Sequence, residues 1–80
     1  MSAEQARLRW RCRRGTRELD TLLARYLAHG HAAAPPAERA LFERLLDRQD
    51  PELFDWLTGR APPTPEFAAL VERIRQQPAL

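Results

Sequence analysis

Leu19-Asp20-Thr21-Leu22-Leu23-Ala24-Arg25-Tyr26-Leu27 is the stretch from which the fold can be read. Its large apolar residues fall at i, i+3, i+4, i+7 and i+8. That spacing lines up one face of an α-helix and is useless to a strand, whose side chains alternate with a period of two. The start of the helix is marked by Thr16 as N-cap, with Glu18 and Asp20 in the first turn, where carboxylates complement the helix dipole. Gly30 can end it. Upstream, residues 5–13 read as a short helix in which Leu8 and Cys12, Ala6 and Trp10, and Arg7 and Arg11 stand four apart. Gly15 fits the C′ position of that helix, where a left-handed conformation costs glycine little.

Downstream, His29 to Ala37 reads as a loop that closes on Pro35 and Pro36. A third helix follows, with Leu41, Phe42, Leu45 and Leu46 on one side and Glu38, Arg39, Glu43 and Arg44 outside. Asp50-Pro51-Glu52 is a helix start, with Asp as N-cap and Pro at the first helical position. The short helix it opens packs Leu53, Phe54, Trp56 and Leu57, with Trp56 in the core, and Gly59 stops it. Ala61-Pro62-Pro63 is a stiff turn. Thr64-Pro65-Glu66 repeats the cap-then-Pro signal, and Phe67, Leu70, Val71 and Ile74 form a last stripe ended by Pro78. Helices this short are marginal alone in water and need one another. The expected architecture is all-α, a small five-helix bundle in one domain over residues 1–80.

Size and charge limit what such a chain can do. Eighty residues bury only about 60% of their unfolded surface, so the core is thin and leaves little room for an enclosed catalytic cleft. The chain is 44% hydrophobic and 30% charged, a globular balance. All 13 basic residues are Arg. With the many Ala and Pro, this skew fits GC-rich coding better than selection for guanidinium chemistry. The distribution is more informative: residues 1–20 carry six Arg against three acids, and residues 21–80 seven Arg against eight. Basic character is therefore local. Cys12 is the single cysteine, no apolar run is long enough to span a bilayer, and Met-Ser-Ala-Glu-Gln-Ala lacks the apolar core of a signal peptide. The expected compartment is a reducing cytoplasm.

The run Arg13-Arg14-Gly15-Thr16-Arg17-Glu18-Leu19-Asp20 carries the candidate site. One reading makes it a helix–Gly–helix junction with solvated arginines, whose ion pairs are worth about 0–1 kcal/mol. The other makes Gly15 a point of close backbone approach for a partner. Arg14 then offers a planar fork for carboxylates or carbonyls, and Glu18 either holds that fork or accepts from the partner. On either reading Arg14 is a surface group whose truncation leaves the fold intact. Trp10, four residues before Arg14, is expected to have one face buried and one at an interface. Cys12 has no neighbouring His to activate it and reads as a buried thiol. His29 and His31 are a weak metal signal, lacking other ligands at suitable spacing, and no metal site is expected. Nucleophile motifs, phosphate-binding Gly-rich loops and paired-Cys zinc signatures are lacking, so no catalytic residue is expected.

The segment from Arg7 to Asp20, Arg7-Leu8-Arg9-Trp10-Arg11-Cys12-Arg13-Arg14-Gly15-Thr16-Arg17-Glu18-Leu19-Asp20, resembles the signature of the SdhE-type FAD assembly factors. Their hallmark is Arg-Gly-x-x-Glu, here Arg14, Gly15 and Glu18. The resemblance continues through Phe42, Leu45, Leu46 and Asp50-Pro51-Glu52-Leu53-Phe54-Asp55-Trp56-Leu57 to Gly59, and covers residues 7 to 74. It implies a five-helix fold and a chaperone-like role without bond-making chemistry. It also implies a partner, the flavoprotein subunit of succinate dehydrogenase, with the related fumarate reductase subunit as a second candidate client. The chain would promote covalent attachment of FAD to a histidine of that subunit. FAD would be the cofactor of the partner, not one held tightly here, and the chain would act as a monomer. The residues implied to meet the partner are Arg14, Gly15 and Glu18, together with Arg7, Trp10 and Arg11. Two features depart from the family pattern: Thr16 stands where Met is common, and residues 31–37 are rich in Ala and Pro. A different class of function, a nucleic-acid-binding or antitoxin-like regulator, would lay the N-terminal Arg stripe on phosphates. The acidic balance of residues 21–80 and the lack of a recognition-helix pattern disfavour it. Far-UV circular dichroism tests the shared premise: a mostly helical spectrum is expected, and a substantial β component would refute the bundle.

Overall fold

A computed structural model describes residues 2–77. Five α-helices follow one another: α1 (Ala3–Arg11), α2 (Arg17–His29), α3 (Pro36–Leu45), α4 (Asp50–Leu57) and α5 (Ala68–Arg75). A single 3-10 turn, Pro65–Phe67, leads into α5. No strand occurs among the described residues. The long helix α2 packs on α1, α4 and α5, and α5 packs in turn on α3 and α4. Leu19, Leu23 and Tyr26 of α2 are buried, and Leu22 and Leu27 flank them half-buried. The stripes of the other helices meet this face: Leu8 from α1, Phe42 and Leu45 from α3, Leu53, Trp56 and Leu57 from α4, and Leu70, Val71 and Ile74 from α5, with Phe67 from the turn before it.

The element ends differ from the sequence expectation where a local donor or acceptor intervenes. α1 starts earlier, because the Ser2 hydroxyl accepts the Gln5 N–H at 3.1 Å and caps the helix. It also ends at Arg11, so Gly15 lies beyond the C′ position it was expected to fill. α3 begins at Pro36 rather than after Ala37, since proline at the first helical position loses an N–H that would go unpaired anyway. Gln49 is the N-cap of α4 and Asp50 is already helical, so the Asp50 carboxylate is free for another use. Thr16 sits at the N-cap of α2, but its hydroxyl makes no cap bond. Gly59, at φ +81°, closes α4 as expected. The Arg60 N–H reaches the Asp55 carbonyl at 2.8 Å and the Gly59 N–H reaches that of Trp56 at 3.3 Å, the paired bonds of a Schellman cap. Pro78, expected to end the last helix, lies outside the described residues.

The Ala-rich loop between α2 and α3 is tied down by His31. Its backbone N–H donates to the Tyr26 carbonyl at 2.9 Å, and its ring, only 3% exposed, packs 5.6 Å from Phe42 and edge-on to Tyr26. The Tyr26 hydroxyl donates to Glu38 at 2.6 Å, and Glu38 also receives Arg73 at 2.8 Å. Burial and the Glu38 carboxylate push the Tyr26 pKa upward, so Tyr26 stays a donor. For His31, burial and then the Arg39 charge pull the pKa below its ordinary 6.5, against the weaker opposing pull of Glu4, Glu43 and Glu38. Its Nδ1 is buried with no hydrogen-bond partner. The folded state thus favours neutral imidazole. Stability is complete above the unfolded-state pKa near 6.5 and drains as pH falls below it, by at most about 1.4 kcal/mol per pH unit for one proton. Denaturant melts at a series of pH values between 7.5 and 5 should show this loss, and His31→Leu should remove most of it. An unchanged slope in that variant would place the titrating group elsewhere.

Candidate partner-binding site

The turn between α1 and α2 is built around Arg14. Its guanidinium spends three donors inward: Nε on Asp50 Oδ1 at 2.6 Å, Nη1 on the Leu46 carbonyl at 2.8 Å, and Nη2 on the Arg48 carbonyl at 2.8 Å. The side chain is 16% exposed. Leu46 caps the C-terminus of α3 and Asp50 opens α4. A cation here therefore meets the negative end of α3 and the carboxylate of α4 together. The backbone of Arg14 is held too, its N–H donating to Asp20 Oδ1 at 2.6 Å. Gly15, at φ +89°, makes the reversal that lets Asp20 reach back. A Cβ built at Gly15 would meet nothing within 4 Å, so its backbone faces open solvent.

The sequence reading left Arg14 open to a partner and gave Glu18 either to accept from that partner or to hold the Arg14 fork. The structure assigns that task to Asp50 and two carbonyls. Glu18 is exposed and makes no hydrogen bond or ion pair with any described residue. Arg7 and Arg11 are likewise engaged, Arg7 with Glu43 at 3.0 Å and Arg11 with Asp47 at 2.6 Å and Glu43 at 3.7 Å. These pairs strap α1 to α3 and the α3–α4 junction. Trp10 also departs from expectation. It was read with one face buried, but it is 72% exposed, because it stands on the outer side of α1, opposite Leu8. A large apolar ring left in water is the more telling for being isolated.

Of the six candidate residues, Trp10, Arg11 and Arg14 line one open depression, and Asp50 and Arg13 complete it. Arg7 is a turn further along α1, and Gly15 and Glu18 lie beside the depression on the turn and the start of α2. Asp50 was missed as a site residue because its sequence context reads fully as a helix start. Arg13 was overlooked although it abuts Arg14. Cys12 is 4% exposed, and burial pushes its thiol up to about 11 against the pull of Arg14 and Arg11. At neutral pH it is a protonated, inert thiol. No group of three or more His, Cys, Asp or Glu among the described residues is placed to hold a metal ion.

A rigid turn with an open glycine, an unpaired acid and an exposed tryptophan beside it offers a surface and no catalytic group, features shared by the class of proteins that dock on others. The comparisons with known proteins narrow this class. The family model described as "flavinator of succinate dehydrogenase" matches residues 6–78. The FAD assembly factor SdhE of Xylella fastidiosa is 51% identical over 78 residues, covering 96% of this chain and 80% of that protein. Its counterparts in Methylococcus capsulatus and Coxiella burnetii are 47% and 41% identical, covering 91% and 88% of this chain and 89% and 87% of their own lengths. The chain belongs to this family of FAD assembly factors for succinate dehydrogenase, which are assembly factors and not catalysts.

The geometry of Arg14 speaks against the expectation that its truncation leaves the fold intact. Arg14→Ala removes three charge-assisted bonds and strands Asp50, which is partly solvated and softens the loss. A cost of about 2–3 kcal/mol is expected, or about 10–20 °C in melting temperature for a domain of this size. Arg14→Lys, which keeps the charge without the fork, should recover only part of it. A thermal melt of Arg14→Ala within a degree or two of wild type would show that the three bonds contribute nothing net.

Proposed function

We propose that this chain binds the flavoprotein subunit of succinate dehydrogenase and promotes covalent attachment of FAD to a histidine of that subunit. The flavin is cargo of the client, and the chain itself holds no cofactor tightly. Its contribution is positional: docking orders the client so that the histidine and the flavin ring meet in reacting geometry, which by itself can remove a large part of a barrier. The observation that carries this reading is the division of labour at the α1–α2 turn. Arg14 is spent on rigidity, while Gly15, Glu18 and Trp10 are presented to solvent by the turn it fixes. Arg7 and Arg11 act with Arg14 behind this surface. A pre-ordered docking surface loses little entropy on binding. A buried free thiol fits work as a monomer in the cytoplasm, and the fumarate reductase flavoprotein is a second client of the same chemistry. The pairing of Arg7, Arg11 and Arg14 takes three of the six arginines of residues 1–20 away from the phosphates that the nucleic-acid reading needs them for.

The test separates glycine's conformation from its openness. Gly15→Ala and Gly15→Arg both strain a left-handed backbone and should lose similar stability, about 1–2 kcal/mol. Only Gly15→Arg projects bulk into the approach path. In a host lacking its own factor, Gly15→Arg should abolish covalent flavin fluorescence of the denatured flavoprotein, and Gly15→Ala should retain a substantial part. Glu18→Ala should leave the melting temperature unchanged and still reduce the fluorescence, since truncating a desolvated interface charge costs about 2–5 kcal/mol. Full flavinylation with both Gly15→Arg and Glu18→Ala would remove the turn from the docking surface. Failure of the wild-type chain to restore flavinylation would remove the proposed function.

A further inference from the structure

The arginines of α1 divide into two rows with opposite fates. Residues four apart share a flank of a helix, so Arg7 and Arg11 form one row, and Arg9 and Arg13, which follows the last turn, form another. Two residues rotate the helix by about 200°, which places the second row across α1 from the first. The first row is neutralised by Glu43 and Asp47. The second is exposed and makes no ion pair with any described residue. Arg9 and Arg13 instead line a groove of about 810 Å³ between α1 and α2, with Cys12, Ala24, Leu27 and Ala28 among its other walls. The acid in that wall, Asp20, has Oδ1 occupied by the Arg14 N–H. The groove is therefore apolar below and cationic at its α1 rim, with the Asp20 carboxylate on its α2 side.

Resting on the proposed function, we infer that this groove receives an amphipathic helix of the flavoprotein. The helix places an apolar side chain against Ala24 and Leu27 and two carboxylates on Arg9 and Arg13. Complementarity of charge carries the choice of occupant. Arg9 near the end of α1 and Arg13 just beyond it both line the groove, so each can receive one of two carboxylates carried by a facing helix. Guanidinium forks suit carboxylates in particular. The groove is also continuous with the docking surface, because Arg13 lines both it and the Trp10 depression. The client contact thus wraps the outer side of α1 from Gly15 past Trp10 to the α2 groove.

The experiment is titration of the full chain into the purified succinate dehydrogenase flavoprotein subunit at low and high salt. The doubly reversed variant Arg9→Glu/Arg13→Glu should stay folded and melt within a few degrees of wild type, since both side chains are exposed and unpaired and only the favourable helix-end position of Arg9 is lost. Its affinity should fall by about 30-fold or more at low salt, and the salt dependence of binding should flatten. Ala28→Trp, at an exposed position of the groove wall, should weaken binding at both salt concentrations. Wild-type affinity in both variants, with Gly15→Arg still abolishing binding, would overturn the groove while leaving the partner in place. Self-association of the wild-type chain that Arg9→Glu/Arg13→Glu dissolves would assign the groove to a second copy and also overturn the inference. Absence of any binding by the wild-type chain would remove the partner, and the groove proposal with it.

Discussion

The guanidinium of Arg14 is the constraint on which the arrangement of the chain depends. Its three bonds reach Leu46, Arg48 and Asp50, alternate positions across the junction where α3 ends and α4 begins. Such a junction exposes the unsatisfied carbonyls of one helix end beside the first acid of the next. It needs a planar donor with several N–H groups in fixed directions, and only arginine offers one. The same residue gives its backbone N–H to Asp20 on α2. One side chain therefore fixes the relation of the first helical pair to the second, and the apolar stripes pack within that frame.

The proposed function rests on what the frame leaves outside. Arg14 is spent within the junction and Arg7 and Arg11 in surface pairs with Glu43 and Asp47, so the outer surface of the turn shows a different set of groups: an open glycine, an unpaired glutamate and a bare indole. These groups stand on a backbone that the turn holds in place. An assembly factor that works by orienting its client gains from that order, since flexibility at the contact would pass straight into the geometry it is meant to impose.

The bundle was legible in the sequence because helical period and terminal chemistry are local. The stripe from Leu19 to Leu27, the Phe67–Leu70–Val71–Ile74 set and the glycine stop at Gly59 all appear where expected. The assignment of roles within the Arg-rich motif was not legible, because Arg14 and Asp50 are 36 residues apart and nothing in their spacing announces the pair. Asp50 had a complete local explanation as a helix start, and that explanation hid its tertiary one. Trp10 is a different case. It lies two residues from both Leu8 and Cys12, which turn inward, so the helical wheel alone places it on the far side of α1. Aromatic character suggested burial, and geometry decided against it. His31 was invisible as a core residue because its loop has no period from which to read a face.

α1 contributes only Leu8, with Cys12 just after it, to the buried core. The rest of its attachment is electrostatic, through Arg7 and Arg11. A helix held in this way has few apolar contacts to lose on opening, and its exposed pairs weaken as ionic strength rises. Its amide protons will exchange through a local opening of lower free energy than global unfolding, ahead of those in α2. The helix that carries the exposed indole is thus also the one with the least apolar anchorage in the bundle.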